Sequence, residues 1–331
     1  MIRKVYFYFI RLGFGKLLTI WYKRSAFRRL VNELPDLWPV LLPDKESAAI
    51  KRSSLSTLKY VQNFYLKNTY IGLWGYNLTP VILYCFYKMR GMPASIGFIW
   101  HVYYPFQTTT VLPHTIAYIY EMFAGSFSVC AMVGADLLFI TMASHISMLL
   151  RQLQMKVRNL GNRRENTPLK PASNYHDCYE DIVDLIKIHQ RIISYGIDLE
   201  DAFSAVNLIN LLLSSVNLCC GLFNVVFLNP WQEMNDKMFV IIALAQMGMI
   251  CWYADDIARA SAGVADAVYQ SGWYECNARC RRAMLVFMQR SQKPLHFTAL
   301  KFKAITMMTY GSFLTTSYSY FTLLYTSYRR H

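Results

Sequence analysis

The stretch AITMMTYGSFLTTSYSYFTLLYTSY, from Ala304 to Tyr328, holds 25 residues without an Asp, Glu, Lys, Arg or His. As an α-helix rising about 1.5 Å per residue it reaches roughly 37 Å, enough to cross a hydrocarbon core of about 30 Å with some tilt. The sequence therefore predicts a membrane span over 304–328. Hydroxyls such as Thr309, Ser312, Thr315, Thr322 and Thr326 make it unusual for a helix that faces lipid alone. Steps of three and four residues set Thr316, Ser319, Leu323 and Ser327 on one stripe, while Phe313, Tyr320, Phe321 and Leu324 fall largely elsewhere. Such a stripe suits a pore-lining face with Leu323 as its apolar constriction. It equally suits a span whose hydroxyls bond the preceding turn or a neighbouring helix, and these residues alone leave both readings open.

The rest of the chain has the composition of a membrane protein. Of 331 residues 54% are hydrophobic, and the formal charge is +14. That charge sits in the segments between apolar runs, which argues against nucleic acid as a partner. Lys and Arg number eight in 23–59, two in 88–114, eight in 151–191, one in 229–237, seven in 276–303 and two after Tyr328. By the positive-inside rule the segments with eight, eight and seven are cytoplasmic, and the C-terminus lies outside. Eight cysteines fall mostly in or beside apolar runs, and Cys276 and Cys280 lack further ligands to complete a zinc set. Neither a metal site, a cofactor nor a disulfide is assigned.

Taken in order, residues 1–22 form a weak first span. Arg11 alone costs about 2.5–3.5 kcal/mol at a helix centre and Lys16 adds to that, so this helix needs a neighbour to hold it in the bilayer. Residues 23–67 read as a cytoplasmic helix and linker punctuated by Pro35, Pro39 and Pro43, and 68–87 as a span containing Pro80. Residues 88–113 form an aromatic outer loop, with Trp100, Tyr103, Tyr104 and Phe106 at the interface. The segment 114–160 is a span with a cytoplasmic extension. Glu121, Asp136 and His145 stand on it at or near membrane depth, where an ionisable group is either functional or part of an interhelical pair. A cytoplasmic loop and helix over 161–201 precede a charge-free span at 202–228. Another span with an extension covers 238–275, and a cytoplasmic anchor segment, 276–303, feeds the last span. The fold class is all-α, a polytopic membrane bundle with six crossings.

Several chemistries are not encoded. There is no Gly-rich phosphate loop and no persuasive Ser, His and Asp order, and no histidine boxes suit a membrane metalloenzyme. An enzyme is excluded on these grounds. Internal symmetry of the kind common in secondary transporters is not visible. A ligand-gated channel or receptor and a membrane transporter are the two classes that remain.

Motifs in the second half favour the first class. The run SAGVADAVYQSGWY over Ser261–Tyr274, then RSQKPL over Arg290–Leu295, then Ser317–Leu324, resemble in order and spacing the insect odorant receptor family. Tyr103-Tyr104-Pro105-Phe106 is similar to that family's outer-loop aromatic, Pro and Phe, and Asp136-Leu137-Leu138-Phe139 to the acidic start of its fourth-helix motif. The resemblance implies a seven-helix plasma-membrane protein of olfactory neuron dendrites. It further implies a heterotetramer with a shared odorant co-receptor, forming a cation channel opened by a small volatile odorant and embedded in membrane lipid. Aligned to the family, the chain starts in the second helix, so a non-functional truncated receptor is a further alternative. The tail of the final helix places Leu323 and Ser327 at the gate positions. Phe7, Tyr84, Tyr118, Met122, Phe123 and Gln246, brought to a common depth in the outer halves of the spans, are the expected ligand contacts.

Overall fold

The computed structural model describes residues 5–37, 45–93, 95–99, 104, 110–165, 175–227 and 233–329. Its elements are α1 (Val5–Tyr22), α2 (Arg24–Glu33), α3 (Lys45–Met89), α4 (Val111–Glu165), α5 (Tyr175–Phe227), α6 (Glu233–Tyr269), α7 (Ala278–Ser291) and α8 (Met307–Arg329), with a two-stranded β1 (Thr298–Ala299) and β2 (Lys303–Ala304) between α7 and α8. Among the described residues three helical stretches are long and apolar enough to cross a membrane by length and composition: Val111–Leu160, Tyr179–Cys219 and Val240–Tyr269. The charge-free length 68–87 lies on α3, 304–328 lies on α8 from Met307 onward with Ala304 in β2, and 1–22 contains α1.

Helix α5 differs from the expectation. The segments 161–201 and 202–228 are not separate beyond residue 175, because one helix runs from Tyr175 to Phe227. No proline breaks this stretch. Gly196, the residue most suited to a break, is needed instead for packing: a Cβ there would lie 2.2 Å from Leu295 Cδ2. Helix α3 likewise begins at Lys45, well before the charge-free run, and carries Pro80 inside it without ending. The expected aromatics Trp100, Tyr103 and Phe106 fall outside the described residues.

Two cores hold the described bundle. The larger joins α4, α5, α6 and α7 with residues of α2, α3 and α8 and with Phe297 and Ile305, which flank the β-hairpin. At its centre Phe139, Phe203 and Phe297 meet edge to face, with ring centroids 5.1 Å apart for Phe139 and Phe203 and 5.4 Å for Phe139 and Phe297. Such pairs add about 0.5–1.5 kcal/mol each beyond area burial. Polar ties fix the register of α4 against α6. Arg151 and Ser147 both bond the Asp256 carboxylate, and Gln154 Nε2 donates to the Ala260 carbonyl at 2.6 Å. Two hydrogen bonds knit the segment after α7 into this core: the Leu295 amide donates to Ser261 Oγ at 3.1 Å, joining two motif residues, and the Thr298 hydroxyl bonds Glu200. The hairpin turns through Leu300 and Lys301, both with positive φ, and aims the chain into α8. The smaller core gathers Tyr65, Ile99, Val129, Met132 and Val133 between α3 and α4.

Candidate functional site

Two carboxylates of α4, Asp136 and Glu121, are both engaged. Lys16, one of the two charges that made α1 costly, is fully buried and donates to Asp136 Oδ1 at 2.7 Å. Asp136 Oδ2 accepts from Gln246 Nε2 at 2.6 Å and from the Tyr65 hydroxyl at 3.2 Å. One carboxylate thus ties α1, α3, α4 and α6 together. A charge with this many donors is tolerable at low dielectric, whereas an isolated one is not. Close helix approach makes the geometry possible: a Cβ at Gly13 of α1 would lie 2.4 Å from Ser128 Oγ and 2.8 Å from the Ser128 carbonyl oxygen of α4.

Glu121 plays a corresponding part nearer the start of α4. Its buried carboxylate accepts the Ile99 amide at Oε2 and the Tyr104 hydroxyl at Oε1, each at 2.7 Å. Burial, and then the bond to Glu121, raise the Tyr104 hydroxyl above its ordinary range. Phe98 adds ring contacts to Tyr104 and to His114, the latter at 4.5 Å between centroids. The described part of the outer segment is therefore fastened to α4 where its aromatic side chains pack.

Between these two carboxylates lies the smaller core. Tyr76, Tyr118, Met122 and Leu137 pack around it, joined by Ile209 and Leu213 from α5 and Met249 from α6. The Tyr118 hydroxyl donates to the Asn77 carbonyl. Of the six expected ligand contacts, the structure brings Tyr118 and Met122 together here, whereas Gln246 bonds Asp136, which stands roughly 20 Å along α4 from Met122. Phe123 is 67% exposed and points away from the bundle. Tyr84 sits near the end of α3, where the Lys88 amine bonds its hydroxyl at 3.5 Å. Phe7 lies on α1, and its side chain is outside the described residues. Lys16 and Tyr65 do not emerge from the sequence as partners of Asp136, since nothing in one chain's spacing links residues this far apart.

On α8 the packed and open faces separate cleanly. Thr309, Phe313 and Ser317, each four residues from the next, are buried against the bundle. Thr316, Ser319, Leu323 and Ser327 are all exposed, Leu323 at 66%. Tyr320 corrects the expected division of faces: it is 59% exposed, because it lies only about 40° around the helix from Thr316. Many hydroxyls bond the preceding turn, Ser319 to Thr315 O and Thr326 to Thr322 O among them, both at 3.0 Å. Helix α8 touches α6 through Tyr310, whose hydroxyl donates to the Leu244 carbonyl at 3.2 Å and whose ring packs on Gly248. Leu244 precedes Gln246 by two residues, so the same stretch of α6 meets both the Asp136 hub and α8.

The profile of the family described as 7tm Odorant receptor matches residues 2–318. Odorant receptor 85b of Drosophila melanogaster is 27% identical over 328 residues, covering 98% of this chain and 81% of that protein. Odorant receptor 85c of the same organism is 25% identical over the same shares. The solved structure of the olfactory receptor OR5 from Machilis hrabei in complex with eugenol superposes with a TM-score of 0.83 at 16% identity, covering 98% of this chain and 81% of that one.

Proposed function

This chain belongs to the odorant receptor family, a family of receptors rather than enzymes, and from that premise we propose that it is the odorant-binding subunit of a cation channel assembled with the shared co-receptor in the plasma membrane. Six crossings, with 23–67, 161–201 and 276–303 inside, agree with the alternation of basic segments. The observation that carries the proposal is a single chain with two complementary surfaces. One is the aromatic and Met-rich cluster packed between Asp136 and Glu121, taken here as the chamber that a ligand would enter; the other is the exposed hydroxyl stripe of α8.

Each part has a physical role. Tyr118, Met122 and their neighbours recognise a small apolar ligand by shape and dispersion. OR5 of Machilis hrabei, which shares the fold, was solved with eugenol, a molecule of this kind. The hub at Asp136 keeps α1, α3, α4 and α6 in register beneath the guest. A ligand that fits only one arrangement of these helices shifts the population toward it. Helix α6 transmits the shift, because Gln246 reports on the hub and Leu244 holds Tyr310 of α8. In a tetramer the stripe of Thr316, Ser319, Leu323 and Ser327 faces the axis, and a ring containing Leu323 stops ions by dewetting.

Substituting Tyr118→Ala or Met122→Ala and recording an odorant panel tests the chamber. The proposal expects a changed rank order of active odorants. A uniform loss of current across all of them would assign both residues to packing alone. Tags test the topology: one after His331 should be reachable from outside an intact cell and one at Gln292 should not, and the reverse pattern would overturn the scheme.

A further inference from the structure

A groove of about 470 Å³ lies between α3 and α4 on their outer wall, lined by Lys67, Thr69, Leu73, Val129, Cys130 and Gly134 among others. It backs onto the smaller core, sharing Leu73, Val129, Val133 and Leu137 with it, and opens on the opposite side from Tyr118 and Met122. Gly134 and Asp136 are about 200° apart around α4, so the hub faces into the bundle and the groove faces away from it. Cys130 and Gly134 are exposed, and a Cβ added at Gly134 would meet nothing within 4 Å. The size falls within the range of about 300–1,000 Å³ usual for sites that hold small molecules.

Thr69 gives the groove its polarity. Threonines elsewhere in these helices satisfy their hydroxyls on the preceding turn: Thr79 donates to Gly75 O at 2.7 Å and Thr115 to Val111 O at 2.9 Å. Thr69 does not. It is only 6% exposed, and its Oγ1 has no hydrogen-bond partner among the described residues. A buried hydroxyl left unbonded costs about 1–3 kcal/mol, so a molecule that supplies the bond is favoured. Lys67, also lining the groove, adds a positive charge beside it. It immediately precedes the charge-free run of α3, at the cytoplasmic interface in the topology proposed above.

We propose that this groove binds an acidic phospholipid of the inner leaflet. Two donors, the Lys67 ammonium and the Thr69 hydroxyl, match an acceptor-only phosphate or carboxylate head, and an acyl chain lies along Leu73, Val129 and the gap at Gly134. The inner leaflet is the source of such lipids, and one lysine near an anionic surface contributes about fivefold in affinity. The proposal rests on the topology given above, but its test needs no current. The receptor complex is purified into nanodiscs of phosphatidylcholine containing a small fraction of diazirine-acyl phosphatidylserine or diazirine-acyl phosphatidylcholine, irradiated, and mapped by peptide mass spectrometry. Labelling of the peptides spanning 66–73 and 129–137 is expected to be about fivefold greater with the serine lipid. Lys67→Gln should abolish that preference while leaving labelling by the choline lipid, Thr69→Val should weaken it, and Gly134→Phe should remove both. Equal labelling by the two lipids, or an undiminished preference in Lys67→Gln, would overturn the proposal. So would displacement of the label by an odorant that activates the channel. Tag accessibility, measured separately, distinguishes a failure of the topology from a failure of the lipid site.

Discussion

Asp136→Asn and Lys16→Met remove the same ion pair from opposite ends, and the structure predicts that they are not equivalent. Among the described residues Lys16 bonds Asp136 alone, whereas Asp136 also receives Gln246 at 2.6 Å and Tyr65 at 3.2 Å. Asp136→Asn strands a fully buried ammonium, and breaking a buried pair in this way costs about 3–5 kcal/mol. That is roughly two to three and a half decades in the folded-to-unfolded ratio. Lys16→Met leaves a carboxylate that keeps two donors, each worth about 1.5–3 kcal/mol to a charged group, so its loss should be smaller, on the order of 1–3 kcal/mol. The double variant removes both charges, while the side-chain amide carbonyl introduced in place of the carboxylate still accepts one of the two donors. It should be more stable than Asp136→Asn by at least about 1 kcal/mol. Reversible unfolding in mixed micelles, read at the four corners of the cycle, measures all three quantities. Equal single losses that add in the double variant to within about 0.5 kcal/mol would refute the reasoning, since they would mean that the two groups do not interact.

Three further outcomes follow from the packing. Gly13→Ala forces a methyl against the Ser128 backbone carbonyl, which cannot rotate aside, and should lower stability by about 1–3 kcal/mol in the same assay, with Gly75→Ala, which meets nothing within 4 Å, as the harmless control. Tyr310→Phe removes the bond to Leu244 without changing shape, and should reduce the maximal odorant-evoked current at unchanged surface density while leaving the rank order of odorants intact; a changed rank order would place Tyr310 in recognition instead. Leu323→Ser should raise the ligand-free open probability and Ser327→Leu lower it, whereas Leu324→Ser, about 100° around the helix and partly buried, should chiefly reduce the amount of protein at the surface.

Much of the architecture is readable because charge-free length and the alternation of basic segments are local signals. Ala304–Tyr328 can be recognised as a helix without knowing what it touches, and α8 begins at Met307, close to the start of that run. The exposed stripe on α8 is legible from the 100° step, although reading Tyr320 by its size rather than its angle puts it on the wrong side. Residues joined across the fold are not legible. Lys16 can be seen to need a neighbour, and Asp136 to need a donor, but choosing one another out of several candidates depends on how α1 packs on α4, which the Gly13 contact decides. Gln246 shows the limit most clearly. Polar at chamber depth, it reads as a ligand contact, and the structure places its amide on the Asp136 carboxylate. The unbroken α5 has the same cause, since a polar segment and a charge-free one read as two units in sequence, while Gly196 within the helix is a contact surface for Leu295 in the fold.

Voltage-clamp recording of cells expressing this chain with the odorant co-receptor, against cells expressing the co-receptor alone, tests the central claim most directly. The account predicts an inward cation current evoked by a subset of volatile odorants only when this chain is present, with a profile that Tyr118 and Met122 substitutions reorder. Surface-expressed protein whose presence leaves the co-receptor's currents unchanged for every odorant in the panel would contradict it.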